Sequence, residues 1–389
     1  MGIIRQAFFS FLKNSSLYVM IMIEMTIILL GINVLVSGME NQKVLLRPYE
    51  SMLKSDGCAF SIDMRKYVTY DNVDEYYEQV DRTIDYLKGA KVFTFCTEFF
   101  TCQGRTIKAI LYDDSVVPLK LPLQSGKWAK EKHTGVVSPD FAGIKNGQRI
   151  TLDDTEIVIT GTLTDPTYSP CLGDWKEYMD VSMFYKTYMA GDKEDVPFII
   201  LPLSSFSSEE DQLFLGKFHQ ERSLVLITFS DDCTDEWKKE NEKALSELGY
   251  VTPLSEIYDN SIRNQEDIIN NSRPLFFVGI LISIIGFFSN KLIRLKSTEN
   301  ELCVYSLCGA DKNIINKICL WQDVIMLSVS MLFAVFFLMI LKKYGVYLNL
   351  VLLVTGKNIL WTFAVSSFYI LMSFIINKVY IWRMSSDRT

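Results

Sequence analysis

Four long apolar runs constrain this chain more than any other feature. Residues 17–36 are interrupted by a single charge, Glu24. At about 1.5 Å per residue, a helix of that length crosses the roughly 30 Å of a bilayer's hydrocarbon core. Residues 274–289 make a shorter run, which the polar stretch before it and Lys291 after it can extend. A third run, 318–341, carries only Asp323, and a fourth covers 359–376, preceded by an apolar stretch at 348–354 suited to the interface. The expected fold is therefore an α-helical membrane protein with four transmembrane helices, at 17–37, 274–290, 318–341 and 359–377. The first run is too long for the apolar core of a signal peptide, and no A-x-A-like cleavage site follows it, so it reads as a retained span.

Charge orients these spans. The flanks 1–16, 289–317 and 377–389 hold ten Lys and Arg, against three in the connector 342–358. Basic residues stay cytoplasmic, which places both termini (an amphipathic segment at 1–16 and a tail at 378–389) and the loop 291–317 inside, and the connector outside. The large insert 38–273 then lies outside; it holds 26 basic and 40 acidic residues, a net of −14. The whole chain is at −7 without an evident basic cluster, which argues against nucleic acid as a partner.

The insert is long enough for its own core. Residues 57–63 read as a strand, and 71–88 as an amphipathic helix with Val73, Tyr76, Tyr77, Val80, Ile84 and Leu87 on one face. Strands are expected at 91–99 and 105–112. A second strand at 224–229 precedes a helix at 235–248, with Trp237, Ala244, Leu245 and Leu248 inward and Gly249 to stop it. Two such units make a split strand–helix sandwich, interrupted by a small β-rich insertion at 118–200. Residues 255–273 are helix-compatible and lead into the second span.

No catalytic, cofactor-binding or metal site is expected. Two histidines, His133 and His219, are scant material for His-based chemistry, no C-x-x-C occurs, and no G-x-x-x-x-G-K-[ST] is present. Five of the eight cysteines fall in the insert, an odd number that argues against a fully paired framework. Cys96 and Cys102 flank a possible hairpin turn, where one disulfide is conceivable. Within the spans, Glu24 is by default a candidate functional site, since an ionised carboxylate is costly in hydrocarbon; the plainer reading sets it near the surface in a helix–helix seam or wet groove. Gly279, Ser283 and Gly286 share one face of the second span and permit close helix contact, read as a dimer seam together with Glu24 and Gly31.

The loop 297–317, STENELCVYSLCGADKNIINK, carries the most information. Thr298 with Glu301 three residues on reads as a capping box opening a short helix. Leu302 and Leu307 give that helix apolar character, Gly309 ends it, and Asp311 caps the next helix. A short helix between two spans, flanked by cations, reads as a docking element.

This stretch resembles the MacB/FtsX-type permeases of type VII ABC transporters, whose pattern after the second span runs roughly E-I-G-x-x-R-A-L-G-A-S. Glu301, Leu302, Leu307, Gly309, Ala310 and Asp311 fit it or substitute conservatively. Residues 135–163 resemble the exterior-domain signature of the same family, and Leu30-Gly31-Ile32 is a weaker match in the first span. The span order, one then a large exterior domain then three, also agrees. The family's basic residue in the docking helix falls on Ser306 and its first glycine on Cys303, so ATPase contact would fall to Arg294, Lys296 or Lys312.

The resemblance implies a non-enzymatic permease subunit of the cell membrane. A separate ATPase, holding ATP and Mg²⁺, docks on residues 298–312, two permease chains pair through their first two spans, and the stroke reaches the exterior domain by mechanotransmission. The expected cargo is peptide- or lipid-like, exported or extracted on the outer side. The alternatives are a non-transporting FtsX-like scaffold that regulates an extracellular hydrolase, and a stand-alone surface receptor.

Overall fold

The periodicities become ten helices and fourteen strands among the described residues of a computed structural model, which covers the chain except residues 1, 14, 64, 67–72, 142–143, 174–177, 191, 193–194, 222, 345–351 and 387–389. The helices are α1 (Gly2–Lys13), α2 (Ser15–Leu46), α3 (Glu50–Leu53), α4 (Val73–Asp85) and α5 (Gln212–Leu215). They continue with α6 (Asp235–Leu248), α7 (Leu254–Ser297), α8 (Glu299–Leu307), α9 (Lys312–Tyr344) and α10 (Gly356–Ser386). The strands begin with β1 (Gly57–Ile62), β2 (Ala90–Phe93), β3 (Cys96–Cys102), β4 (Arg105–Tyr112) and β5 (Leu123–Gly126). Next come β6 (Thr134–Val137), β7 (Arg149–Leu152), β8 (Thr155–Leu163), β9 (Thr167–Pro170) and β10 (Tyr185–Tyr188). Last are β11 (Phe198–Pro202), β12 (His219–Gln220), β13 (Leu224–Phe229) and β14 (Gly249–Pro253). The chain divides into two units, residues 41–267 and residues 1–40 with 268–389.

The unit 41–267 holds a split strand–helix sandwich. Its four-stranded sheet runs β14-β1-β13-β2, antiparallel throughout, with α4 between β1 and β2 and α6 between β13 and β14 in sequence. Alternation along each strand sends side chains to opposite faces. Cys58, Phe60, Val225 and Ile227 pack with Tyr76 and Val80 of α4 and Leu245 and Leu248 of α6. Ala59, Phe93, Leu224 and Leu226 join a second core with Tyr49 and Phe184 on the other side. Full burial of an aromatic such as Phe60 contributes about 2–3 kcal/mol. The Tyr76 hydroxyl donates to the Leu248 carbonyl, tying α4 to the end of α6.

Three details differ from the periodicity. Trp237 is 39% exposed, and Asn241 takes the inward place instead, its Nδ2 donating to the Lys88 carbonyl (3.0 Å) and its Oδ1 accepting from the Lys88 N–H (3.2 Å). A buried amide with both ends satisfied substitutes for an apolar contact. Val73, at the start of α4, is also exposed; residues 71 and 72 of the expected helix lie outside the described residues. Gly249 does end α6, but in an extended conformation (φ −165°), so that it enters β14 directly.

The β-rich part is larger than the expected 118–200. Its eight-stranded sheet draws in β3, β4 and β12 along with β5 to β8 and β11, because β4 pairs in parallel with β11. The expected strand 91–99 breaks into β2, which joins the sandwich, and β3, which joins the larger sheet. Cys96 and Cys102 are therefore the two ends of one strand, about 20 Å apart at the usual strand rise, and cannot bridge. All eight cysteines are free thiols.

Among the described residues three helical stretches are long and apolar enough to cross a membrane: Tyr18–Leu46, Lys312–Tyr344 and Gly356–Arg383. The expected second span, 274–290, falls inside the 44-residue helix α7, and several of its side chains lie outside the described residues. Of the connector 342–358, residues 345–351 lie outside them too. The helix α1 has Ala7 and Ser10 buried and leaves Ile4, Phe8, Phe9 and Leu12 exposed. Such an apolar outer face suits a helix lying in a membrane interface.

Candidate functional site

The loop between α7 and α9 is built by three local devices. The first is not the expected capping box. α7 runs to Ser297, and the Thr298 N–H bonds back to the Arg294 carbonyl (2.9 Å), so no extended N-cap residue separates α7 from α8. The Thr298 hydroxyl also donates backward, to the carbonyls of Arg294 (2.9 Å) and Leu295 (3.4 Å), and is not turned toward α8. Glu301 accepts instead from the Tyr305 hydroxyl at 2.7 Å, one turn further on. The second device ends α8 as expected. Gly309 is left-handed (φ +91°), its N–H reaches the Ser306 carbonyl (3.0 Å), and the Ala310 N–H reaches the Tyr305 carbonyl (2.9 Å). That bond pair is a Schellman motif. Third, the Asp311 carboxylate accepts from the Ile314 N–H at 2.7 Å and caps α9.

These devices fix which side chains face out. Leu302 and Cys303 are buried against the helix bundle, and Ala310 packs partly against it. Val304, Leu307 (83% exposed), Asp311, Lys312 and Ile314 are exposed. The result is an anchored short helix with an uncovered apolar tip, which is what a docking knob requires.

Next to α8 lies a buried cluster of charges. Lys291 and Arg294, counted among the loop cations, are each 1% exposed and face the Asp323 carboxylate, about three turns into α9. Arg294 Nη1 donates to Asp323 Oδ1 at 2.6 Å, and Lys291 Nζ donates to Oδ2. From α10, Ser373 Oγ donates to the same Oδ2, and Asn377 Nδ2 approaches it at 3.3 Å. The Arg294 guanidinium also lies 5.0 Å from the centroid of the Tyr18 ring on α2. One carboxylate thus joins three helices, and a fourth closes over the guanidinium. Arg294 is buried, which overturns its expected role in touching an ATPase; Lys296 and Lys312 remain exposed. The signal was present in sequence as a lone carboxylate in one apolar run and two cations three residues apart at the end of another. Intramembrane charges pair with one another.

Of the expected seam residues, the structure brings Glu24 and Gly286 together. Glu24 Oε2 accepts from Asn290 Nδ2 at 3.2 Å, and a Cβ built on Gly286 would lie 1.9 Å from Glu24 Oε1. The room that Gly286 leaves is filled by the Glu24 carboxylate of the same chain. A Cβ built on Gly31 would meet no other part of the chain within 4 Å beyond its own helix backbone and chain neighbours. Gly279 and Ser283 fall within α7, and the Ser283 side chain lies outside the described residues. Further along α2, Asn33 Nδ2 donates to Thr362 Oγ1 (2.9 Å), and Asn358 Nδ2 donates to the Asn33 carbonyl (3.0 Å) and Ser37 Oγ (2.9 Å). No group of three or more metal-ligating residues occurs among the described residues.

No family model and no curated protein matches the sequence. Among solved structures, the extracellular domain of the noncanonic ABC-type transporter YknZ from Gram-positive bacteria is similar at 12% identity and TM-score 0.27. The match covers 51% of this chain and 99% of that one. The periplasmic region of MacB from Actinobacillus actinomycetemcomitans is similar at 9% identity and TM-score 0.28, covering 57% of this chain and 98% of its own. These neighbours are of the permease type that the loop pattern resembles. At such scores the likeness carries no weight for function, which rests on the residues described above.

Proposed function

We propose that this chain is the permease subunit of an ABC-type transporter of the MacB/FtsX kind, a multi-pass protein of the cell membrane with four spans and cytoplasmic ends. A separate ATPase binds and hydrolyses ATP with Mg²⁺; this chain supplies no nucleotide chemistry of its own. The ATPase docks on the apolar tip of α8, and its stroke passes along the helices to the acidic unit 41–267, outside the membrane. A second permease chain completes the assembly. The cargo is a peptide- or lipid-like molecule handled on the outer side.

The observation that carries this reading is the construction of α8: a nine-residue helix between two apolar helices, closed by a Schellman motif, with Leu307 uncovered. Its root leads straight into the buried pair of cations held by Asp323. A knob fixed to three helices at once transmits displacement better than a loose loop, because packed elements move as units. With Lys291 and Arg294 withdrawn from the flanking count, eight basic residues still oppose three, so the charge rule gives the same orientation.

The test is co-purification of the tagged full-length chain from detergent-solubilised membranes. A P-loop ATPase should accompany the wild type and be lost from Leu307→Asp, whereas the surface variant Lys239→Ala should keep it. A chain that brings down no ATPase, or a Leu307→Asp variant that keeps one, overturns the reading. If the ATPase is bound but its rate does not respond to candidate peptides or lipids while an extracellular hydrolase does, the chain is the non-transporting scaffold.

A further inference from the structure

The domain outside the bundle carries a local reversal of charge. Residues 120–132 hold four lysines (Lys120, Lys127, Lys130 and Lys132) and one acid, Glu131, inside an insert whose net charge is −14. Three of the lysines, with Glu131, border a groove of about 670 Å³ beside the strand β5, whose apolar wall is Leu123, Trp128 and Val158. That volume lies within the range of ligand clefts. Among the described residues no carboxylate pairs with Lys120, Lys127 or Lys130.

The groove is preformed. Trp128 Nε1 donates to the Leu121 carbonyl at 3.0 Å, which holds the indole in place as a wall. Gly126 (φ +84°) lets the backbone approach so closely that a Cβ there would lie 2.1 Å from the Thr160 carbonyl oxygen. Gly147 (φ +86°) leaves open space where a side chain would stand. Between them the two glycines keep the floor clear. β5 is also an edge strand: β8 is its single neighbour in the sheet order of the described residues, and Gln124, Ser125 and Gly126 are exposed. An edge offers unpaired backbone groups to another extended chain.

We infer that this groove binds an extended acidic peptide, with an apolar side chain set against Trp128 and main-chain pairing along β5. Lysines bordering an edge repel a second copy of the same edge and attract a strand of opposite sign, so charge selects a foreign acidic peptide over self-association. The rest of the domain, being acidic, repels such a peptide and concentrates it on the one basic groove. Backbone pairing is the feature that favours a peptide over an anionic lipid headgroup, which has no use for a strand edge. The binding is independent of any ATPase and stands whether or not the chain transports.

The experiment uses the full-length chain in neutral maltoside micelles and fluorescence polarisation of a labelled decapeptide of alternating Glu and Val with a central Phe. A Lys-for-Glu counterpart and phosphatidylglycerol vesicles serve as the other arms. The acidic peptide should bind at least about tenfold tighter than its cationic counterpart, and weaken as salt screens it. The exposed double variant Lys127→Glu/Lys130→Glu should lose about tenfold or more and gain affinity for the cationic peptide, while Lys127→Arg/Lys130→Arg retains the acidic one. Thermal unfolding of each variant, unchanged from wild type, confirms that folding is intact. An acidic peptide that fails to bind, binding indifferent to charge reversal, or capture of the vesicles in preference to the peptide overturns the inference.

Discussion

A single carboxylate, Asp323, ties together α7, α9 and α10. It accepts from Lys291, Arg294, Ser373 and Asn377, all with little or no exposure, in a region otherwise packed with Ile, Leu and Met. Desolvating three charges is costly, and the arrangement holds only while each has its partner. Asp323→Ala strands two cations and should cost about 3–5 kcal/mol of stability, seen in SDS-induced unfolding of the purified chain. The triple variant Lys291→Met/Arg294→Met/Asp323→Leu removes the orphaned charges and should recover most of that loss; no recovery would mean that the ions do more than balance one another. In the other unit Asp211 is the comparable residue. Burial alone would push its carboxyl up, but the Ser208 hydroxyl and N–H and the His133 ring hold it down at about 2. A carboxyl lowered on folding contributes stability that is complete above its unfolded pKa near 4 and fades as pH falls toward 2. Asp211→Asn should therefore flatten the acid limb of the unfolding curve between about pH 4 and 2, read by circular dichroism. In sequence Asp323 stands out as a lone charge in an apolar run, and Ser208 with Asp211 has the spacing of a cap. Neither shows the partners that come from far along the chain, Ser373 and Asn377 for one and His133 for the other.

At the scale of elements, the sequence was most informative where geometry is local. β13 and α6 match the residues expected, since alternation and a 3.6-residue period are properties of a few consecutive positions. Gly309 and Asp311 also do what their types suggest. Thr298 does not: the residue type fits a cap, but the preceding helix had not ended, and a hydroxyl within a helix turns to the carbonyl four residues back. The two sites make a matched pair for measurement. Thr298→Ala should change stability by less than about 0.5 kcal/mol, because no orphan N–H loses an acceptor, whereas Asp311→Ala should cost about 1 kcal/mol. Equal effects would contradict the assigned geometry. Gly309→Val forces a branched residue into the left-handed region and should cost roughly 1–2 kcal/mol. Strand β4 shows the opposite limit. Its alternation marked it as a strand, but nothing in its residues says that it pairs in parallel with β11, some ninety positions away, and so belongs to the larger sheet.

The order of apolar and polar segments sets the plan of the proposed permease, and the side proposed for each polar segment rests on charge alone. Two thiol positions turn that orientation into a measurement. Cys308, just past α8, is exposed, whereas Cys58 and Cys233 are buried, and burial pushes the Cys58 thiol up to about 12. A thiol held so far above neutral pH yields little thiolate and reacts slowly with maleimides. Cys58 therefore adds little background to native labelling at Cys308. Gln124, exposed on β5, offers a reporter for the other unit as Gln124→Cys in a Cys308→Ser chain. In intact cells a membrane-impermeant maleimide should label Gln124→Cys and leave Cys308 untouched until the membrane is opened. If both react from outside, or both only after permeabilisation, then α8 and the acidic unit share a side of the bilayer. No stroke could then pass across the membrane from one to the other, and the permease reading would fail while the fold of each unit stood.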